Sequence, residues 1–164
     1  MADKDFTLTQ DLLNEVFDYN GEVLYWKIST NGHLVGQIAG STHSGYCCVK
    51  FCGKLYKAHR IIYLMVHGEL PKYLDHVDGN PLTNKIENLR PATKSQNGFN
   101  RKINKNNLSG YKGVGLDKST GKWRARCWVM GKVHTIGYFD DVEVAAEAVK
   151  SARIRLHGDY ARHQ

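Results

Sequence analysis

The stretch that decides the fold reads Leu-Asp-His-Val-Asp-Gly-Asn over residues 74–80. It continues with Pro-Leu-Thr-Asn-Lys-Ile-Glu-Asn-Leu-Arg over residues 81–90, and Asn97 follows in a segment compatible with a helix. Asp-Gly turns occur in many loops, and an isolated Asp-His pair is more often structural than catalytic. The order and spacing of these residues, taken together, indicate a functional site.

Two oxygen donors and one imidazole in this stretch suit metal-assisted hydrolysis. Asp75 and the side-chain carbonyl of Asn97 offer the oxygen ligands that hard divalent cations prefer. Because an imidazole ordinarily titrates near neutral pH, His76 can accept a proton from water. These groups predict a divalent metal cofactor, Mg²⁺ or Mn²⁺.

The order of residues from Asp75 to Asn97 resembles the HNH nuclease motif. The resemblance implies an α+β fold in which an N-terminal ββα-metal domain carries the site. It also implies that His76 is the general base, that Asp75 and Asn97 are metal ligands, and that Asn88 holds the loop and orients the histidine.

The last position of the motif is Asn, as in the homing-type branch of the family, and Gln96 takes its place if the helix register is shifted by one. Three further loop residues are predicted to shape the loop and not to bind metal, namely Asp78, Asn80 and Asn84. Upstream, His-Arg at residues 59–60 resembles the segment that precedes the motif in phage and intron HNH proteins. A histidine that is merely packed or exposed explains position 59 equally well.

The positive charge is concentrated in the C-terminal part of the chain. Residues 1–98 carry 10 Lys and Arg against 10 Asp and Glu, whereas residues 99–164 carry 13 against 6. Within residues 99–132, nine basic residues accompany one acidic residue, Asp117. A field of this sign favours a polyanion, of which nucleic acid is the commonest, although a solvated basic surface is the plainer alternative.

The same part of the chain contains several short aromatic and glycine-containing motifs. They read Tyr-Lys-Gly-Val at 111–114, Gly-Lys-Trp-Arg-Ala at 121–125, Ile-Gly-Tyr-Phe-Asp at 136–140, Ala-Ala-Glu-Ala at 145–148 and Leu-His-Gly-Asp-Tyr-Ala at 156–161. Together they resemble the DNA-binding domain of apetala-two and ethylene-response factors. The resemblance implies a three-stranded antiparallel sheet packed on one helix, with the exposed face of the sheet in the major groove of DNA.

Alternation along the predicted second strand separates a basic face from an apolar face. The basic face holds Lys122, Arg124, Arg126 and Trp128, and the other face holds Trp123, Ala125, Cys127 and Val129. The residues predicted to bind DNA are Lys112, Lys118, Lys122, Arg124, Arg126, Trp128, Lys132 and His134, with Arg101 and Lys102 of the linker. Trp123, Tyr138 and Phe139 are predicted to lie in the core. Gly115 and Ser-Thr at 119–120 depart from the sequence pattern of the plant apetala-two domains. The residues with which those domains recognise DNA bases therefore cannot be assigned in this chain.

Periodicity and turn residues predict the main elements of the chain. These are a helix that Thr9 caps and that Asn-Gly at 20–21 ends, strands over 22–28 and 46–56, a helix over 58–67, strands over 113–117, 122–130 and 132–139, and a helix from Asp141 to the residue before Gly158. The predicted domains are a nuclease domain at 1–98, a basic linker at 99–109 and a DNA-binding domain at 110–164.

The sequence therefore predicts a metal-dependent endonuclease that acts on duplex DNA. The main alternative is a sequence-specific DNA-binding regulator with an inert HNH-like domain. An RNA-binding protein is disfavoured by the lack of an RNA-module signature, although charge alone does not exclude it. One site per chain favours a monomer that nicks one strand, although a two-fold dimer could cut both strands. No apolar run reaches the roughly 18 to 20 residues of a membrane span, and the N-terminus lacks the apolar stretch of a signal peptide. The cytoplasm of a host, bacterial if the chain is phage-encoded, is the predicted location.

Overall fold

The computed structural model describes residues 7–30, 32–99, 103–104, 106–129 and 131–160. It confirms a mixed α+β architecture built from several small antiparallel sheets. The chain divides into two compact units, residues 1–91 and residues 92–164.

The first unit combines two helices with three small sheets. Its elements are α1 (Gln10–Val16), β1 (Phe17–Tyr19), β2 (Leu24–Trp26), β3 (Ser41–His43), β4 (Tyr46–Phe51), β5 (Lys54–Lys57), α2 (Ala58–His67), β6 (Leu74–His76), a 3-10 helix (Ile86–Asn88) and β7 (Leu89–Pro91). All strand pairs are antiparallel: β1 with β2, β4 between β3 and β5, and β6 with β7.

The predicted helix over residues 58–67 is confirmed as α2, which is the centre of the first core. Ile61 and Ile62 are completely buried, together with Leu13 of α1 and Val49 of β4. Burying an aliphatic side chain of this size stabilises a fold by about 1.5–3 kcal/mol. α2 ends at Gly68, which adopts the left-handed conformation with φ of 73° and donates its N–H to Leu64 O. His59 lies in the first turn of α2.

The second unit is a three-stranded antiparallel sheet packed against a long helix. Its elements are α3 (Lys94–Phe99), β8 (Val114–Leu116), β9 (Trp123–Val129), β10 (Lys132–Phe139), α4 (Val142–His157) and a 3-10 helix (Gly158–Tyr160). β9 lies between β8 and β10. The core joins Val114 and Ala125 of the sheet to Ala145 and Val149 of α4, so the predicted strands and helix are confirmed.

Burial along β9 follows the predicted alternation. Ala125 and Cys127 are buried, whereas Arg126 and Trp128 are exposed. Trp123 packs against the core, as predicted, but Tyr138 does not: its side chain is 48% exposed. The reason is register, because Tyr138 pairs with Arg124 on the outer face of the sheet.

Gly113 makes the close approach between β9 and α4 possible. It has φ of 87°, and a Cβ atom there would lie 2.5 Å from Arg126 O and 2.9 Å from Cγ1 of Val149. The N–H group of Arg126 donates to Gly113 O over 2.8 Å. Any side chain at this position would therefore push the strand and helix apart.

The compact units do not coincide with the predicted domains. The sequence prediction ends the nuclease domain at residue 98, whereas packing assigns α3 to the second unit. Within the described part of the chain, every helix is too short or too polar to span a membrane.

Candidate functional site

Asp75 and His76 lie side by side on β6. β6 pairs with β7 so that Asp75 is opposite Arg90 and His76 is opposite Leu89. Both side chains are buried, with only 4% of Asp75 and 7% of His76 exposed. Because neighbours on a strand point to opposite faces, each side chain meets a different set of partners.

The carboxylate of Asp75 is held by Arg90 across the hairpin. Its Oδ2 atom accepts hydrogen bonds from Nε of Arg90 at 3.1 Å and from Nη2 at 2.9 Å. The guanidinium itself is only 18% exposed, so water screens this ion pair weakly. Arg90 thus fixes the orientation of the predicted metal ligand.

The imidazole of His76 faces His59 of α2. The two ring centroids are 4.7 Å apart in an edge-to-face arrangement, and His59 is 4% exposed. Burial lowers the pKa of His59 to about 3, and repulsion from Lys57, and from His76 whenever it is protonated, acts in the same direction. Burial also lowers the pKa of His76, although the neighbouring Asn84 side chain opposes this shift. Both imidazoles are therefore neutral at pH 7.

Buried polar atoms surround this pair of rings. Nδ1 of His59 is buried and has no hydrogen-bond partner among the described residues, whereas the side chain of Asn84 forms a hydrogen bond with His76. Asn84 is 5% exposed. Since leaving a polar atom without a partner costs free energy, the surroundings of His76 are suited to receive a further polar group.

The side chain of Asn88 closes the loop that follows His76. Its Nδ2 atom donates to Asp78 Oδ1 at 3.1 Å and to Thr83 O at 2.8 Å, and its Oδ1 atom accepts from the N–H group of Asp78 at 3.0 Å. Burial would raise the pKa of Asp78, but hydrogen bonds from Asn80, Asn88 and Thr83 outweigh it and lower that pKa. Asp78 and Asn80 shape the loop as predicted, since Asp78 Oδ1 also accepts from the N–H of Asn80 at 2.7 Å.

Tyr19 of β1 anchors the far end of this loop. Its hydroxyl oxygen lies 2.7 Å from Gly21 O and 3.1 Å from Asn84 O, either of which can accept its single proton, and it accepts a hydrogen bond from the N–H group of Ile86 at 3.0 Å. Burial raises the pKa of Tyr19, so the phenol stays protonated. The loop carrying Asn84 is in this way fixed to the first sheet.

Asn97 and Gln96 lie on α3, in the second unit. Thr93 and Gln96 form a capping box, because Thr93 Oγ1 accepts from the N–H of Gln96 at 3.2 Å while Gln96 Oε1 accepts from the N–H of Thr93 at 2.8 Å. The carbonyl oxygen of Gln96 is thus used at the helix terminus. The side chain of Asn97 is half-buried, and its coordination of the same cation as Asp75 stays a prediction.

The predicted DNA-binding residues of the sheet differ in their surroundings. Arg124 lies 3.6 Å from Asp117, and Lys122 lies 3.2 Å from Asp140. Arg126 is exposed and makes no ion pair with any described residue, and Trp128 is 60% exposed.

The remaining predicted DNA-binding residues lie around the sheet. Lys112 is half-buried, whereas Lys118 and Lys132 are exposed. Arg101 and Lys102 lie outside the described residues. The structure therefore brings Arg124, Arg126 and Trp128 to one face, but it does not test whether that face binds DNA.

Comparison with known proteins adds the decisive observation. The profile of the HNH endonuclease family matches residues 56–99, which span α2, β6, β7 and α3. Protein 3.8 of Escherichia phage T7 is 39% identical over 114 residues, covering 66% of this chain and 93% of the phage protein. The chain belongs to the family of this phage protein. Within that family it carries an HNH endonuclease domain.

A second viral relative is named as an HNH endonuclease. The uncharacterized HNH endonuclease L560 of Acanthamoeba polyphaga mimivirus is 36% identical over 121 residues. These residues cover 72% of this chain but only 62% of the mimivirus protein. No solved structure matches the chain.

The structure adds three residues to the site that sequence reasoning left without a role or assigned elsewhere. Arg90 is recognisable only from strand register, which brings it opposite Asp75. Asn84 was predicted to shape the loop, yet it is buried beside His76. His59 had two equal interpretations, and both stay open: its side chain is packed at 4% exposure, and it lies against the predicted base.

Proposed function

We propose that this protein is a metal-dependent DNA endonuclease of the HNH type, with His76 as the general base. The observation that carries the proposal is the adjacent Asp75 and His76 on β6, inside the segment matched by the HNH endonuclease family. The match of residues 56–99 to the HNH endonuclease family supports the nuclease assignment. The metal requirement and the individual roles are our proposal.

The donor chemistry fits a hard divalent cation. Asp75 supplies a carboxylate and Asn97 a carboxamide oxygen, which are ligands that Mg²⁺ and Mn²⁺ accept together with water. Within the described residues, no cluster of three or more His, Cys, Asp or Glu side chains offers an all-protein cage. An ion held by one or two protein ligands is what phosphoryl-transfer sites commonly use. When bound, it would supply positive charge for the phosphate that is attacked.

The chain's own residues would prepare the nucleophile. A base must be unprotonated to accept a proton from water, and burial keeps the pKa of His76 low. The ring edge of His59 and the loop closed by Asn88 restrict the movement of this imidazole. The capping box of α3 engages Gln96 and so favours Asn97 over Gln96 as the second ligand.

The second unit would hold the enzyme on duplex DNA. Its outer sheet face presents Arg126 and Trp128, and the strands of a β-ribbon can enter the major groove of DNA. The resemblance to apetala-two domains has the same implication. Loss of a phosphate contact such as that of Arg126 should weaken binding equally for all sequences and reduce the salt slope by about 0.9.

A plasmid cleavage assay tests the catalytic proposal. Supercoiled DNA is incubated with the full chain in Mg²⁺, in Mn²⁺ and in EDTA, and products are mapped on long duplexes. We expect cleavage only with metal, and a loss of at least two orders of magnitude in His76→Ala. His43→Ala is the matched control, because His43 is exposed on β3. Undiminished cleavage by His76→Ala would remove this residue from the mechanism.

One observation favours the alternative of a DNA-binding regulator with an inert HNH domain. Arg90 already provides a positive charge to Asp75, and both residues of the Asp75–His76 pair are buried. A domain with this pairing can serve as a scaffold. Sequence-specific binding without cleavage at any concentration of Mg²⁺ or Mn²⁺ would support the regulator.

A further inference from the structure

A cleft of about 620 Å³ opens within the second unit, beside the outer face of the sheet. Its walls come from α3 and the loop after it, from β9 and from α4. The lining residues used below are Lys94, Ile103, Lys112, Arg126, Trp128 and Arg153. The volume is in the range of sites that enclose a small molecule.

The cleft is strongly cationic. Four basic residues line it, Lys94, Lys112, Arg126 and Arg153, and none of its lining residues is acidic. Arg153 is only 4% exposed, so a guanidinium group is held in the wall away from bulk water. A wall lined by four basic residues and by no acidic residue is suited to an anionic ligand.

The same cleft also offers flat and apolar surface. Trp128 borders it and is 60% exposed, and Ile103 and the buried Cys127 contribute apolar lining. An aromatic plane beside cations is the combination that binds nucleotides, since bases stack on the ring and phosphates pair with the cations.

We propose that this cleft binds one unpaired nucleotide of the DNA, with its base against Trp128 and its phosphate near Lys112 and Arg126. In a duplex the faces of the bases are covered by their neighbours, so stacking on Trp128 requires a base outside the helix. The proposal deepens the proposed DNA-binding role and rests on it. It assigns to the second unit a preference for unpaired DNA in addition to duplex binding.

The backbone around the cleft is built to hold its shape. Oδ1 of Asn107 accepts hydrogen bonds from the N–H groups of Ser109 and Gly110, each at 2.9 Å, and its Nδ2 atom donates to Tyr111 O at 2.9 Å. Gly113 brings the next residues against the backbone of β9. A site that is preformed in this way loses little conformational entropy when a nucleotide binds to it.

Fluorescence anisotropy with two labelled probes tests the proposal on the full chain in EDTA, where no metal-dependent cleavage interferes. One probe is an oligothymidylate of eight nucleotides, and the other is an abasic strand of the same length. They share phosphates and differ only in bases. We expect the oligothymidylate to bind roughly 5- to 150-fold more tightly, the range given by stacking of one base.

Variants assign the difference to the cleft. Trp128→Ala should remove the preference for bases, and Trp128→Phe should restore most of it. Tyr138→Ala is the matched control, because Tyr138 is an exposed aromatic residue of the same sheet that does not line the cleft. Arg126→Ala should weaken both probes and reduce the single-strand salt slope by about 0.7, whereas Lys150→Ala, outside the cleft, should not.

Two results would overturn the proposal: equal affinity for the two probes, or a base preference that persists in Trp128→Ala. Trp128→Ala must remain folded, which its circular dichroism and its urea unfolding would establish. These experiments distinguish a failure of the cleft proposal from a failure of the proposed nuclease activity. Plasmid cleavage without a base preference refutes only the cleft, and a base preference without cleavage refutes only the catalytic proposal.

Discussion

Replacing Arg90 by Met should destabilise the first unit by about 3 kcal/mol. Removing one partner of a buried ion pair typically costs about 3–5 kcal/mol, because the other charge is left in a poor solvent. Asp75 meets this condition at 4% exposure, while Arg90 is 18% exposed, which favours the lower end of the range. Arg90 donates two hydrogen bonds to Oδ2 of Asp75, at 2.9 and 3.1 Å, so the lost stability comes from this carboxylate.

The measurement is urea unfolding followed by tryptophan emission. The chain has three tryptophans, of which Trp26 lies in the first unit while Trp123 and Trp128 lie in the second. In a background with Trp123→Phe and Trp128→Phe, emission therefore reports the first unit alone. The exposed pair Lys85–Glu22 is the control.

The control pair has the shorter distance, 2.7 Å, but its side chains are 44% and 63% exposed. We expect Lys85→Met to change stability far less than Arg90→Met, because water screens exposed charges. Adding Asp75→Asn to Arg90→Met should recover much of the lost stability, since the uncompensated charge disappears. An equal loss in both Met variants, or no recovery in the double variant, would refute the reasoning.

Three further predictions concern pH, backbone and loop. The folded-state pKa of His59, about 3, is below its unfolded value of about 6.5, so the protein loses stability as the pH falls between these two values. Urea unfolding should show about 2 kcal/mol less stability at pH 5 than at pH 7. In His59→Gln, the free energy of unfolding should depend less on pH. Gly113→Ala should cost the second unit about 2–4 kcal/mol, more than Gly121→Ala, which has similar φ but no atom within 4 Å. Asn88→Ala should lower stability by about 1–3 kcal/mol and reduce plasmid cleavage where circular dichroism shows folded protein; unchanged stability would contradict the three loop hydrogen bonds.

Elements with a strong local signal could be predicted from sequence. α2 and α4 have apolar residues at helical spacing and end at glycines, and β9 alternates between core and solvent. These patterns depend only on neighbours along the chain. The strands β1 and β3 were missed because three residues carry too little periodicity to distinguish them from a turn.

The partners within the site could not be predicted because they are set by tertiary register. Arg90 lies opposite Asp75 only once β6 and β7 pair, and His59 contacts His76 only once α2 packs beside the hairpin. For Tyr138 the predicted core position was wrong. Aromatic character suggested the core, but a register shift between Thr135 and Gly137 accompanies its outward position.

The hydroxyl group of Tyr19 has a consequence for protein engineering. The segment that matches the HNH endonuclease family begins at residue 56, yet the N–H group of Ile86 within it bonds to a side chain from the first strand of the chain. The apolar face of α2 likewise packs against Leu13. Residues 56–99 are therefore not an exchangeable cassette, and a chimaera that transplants this nuclease motif into another scaffold must bring the preceding residues with it.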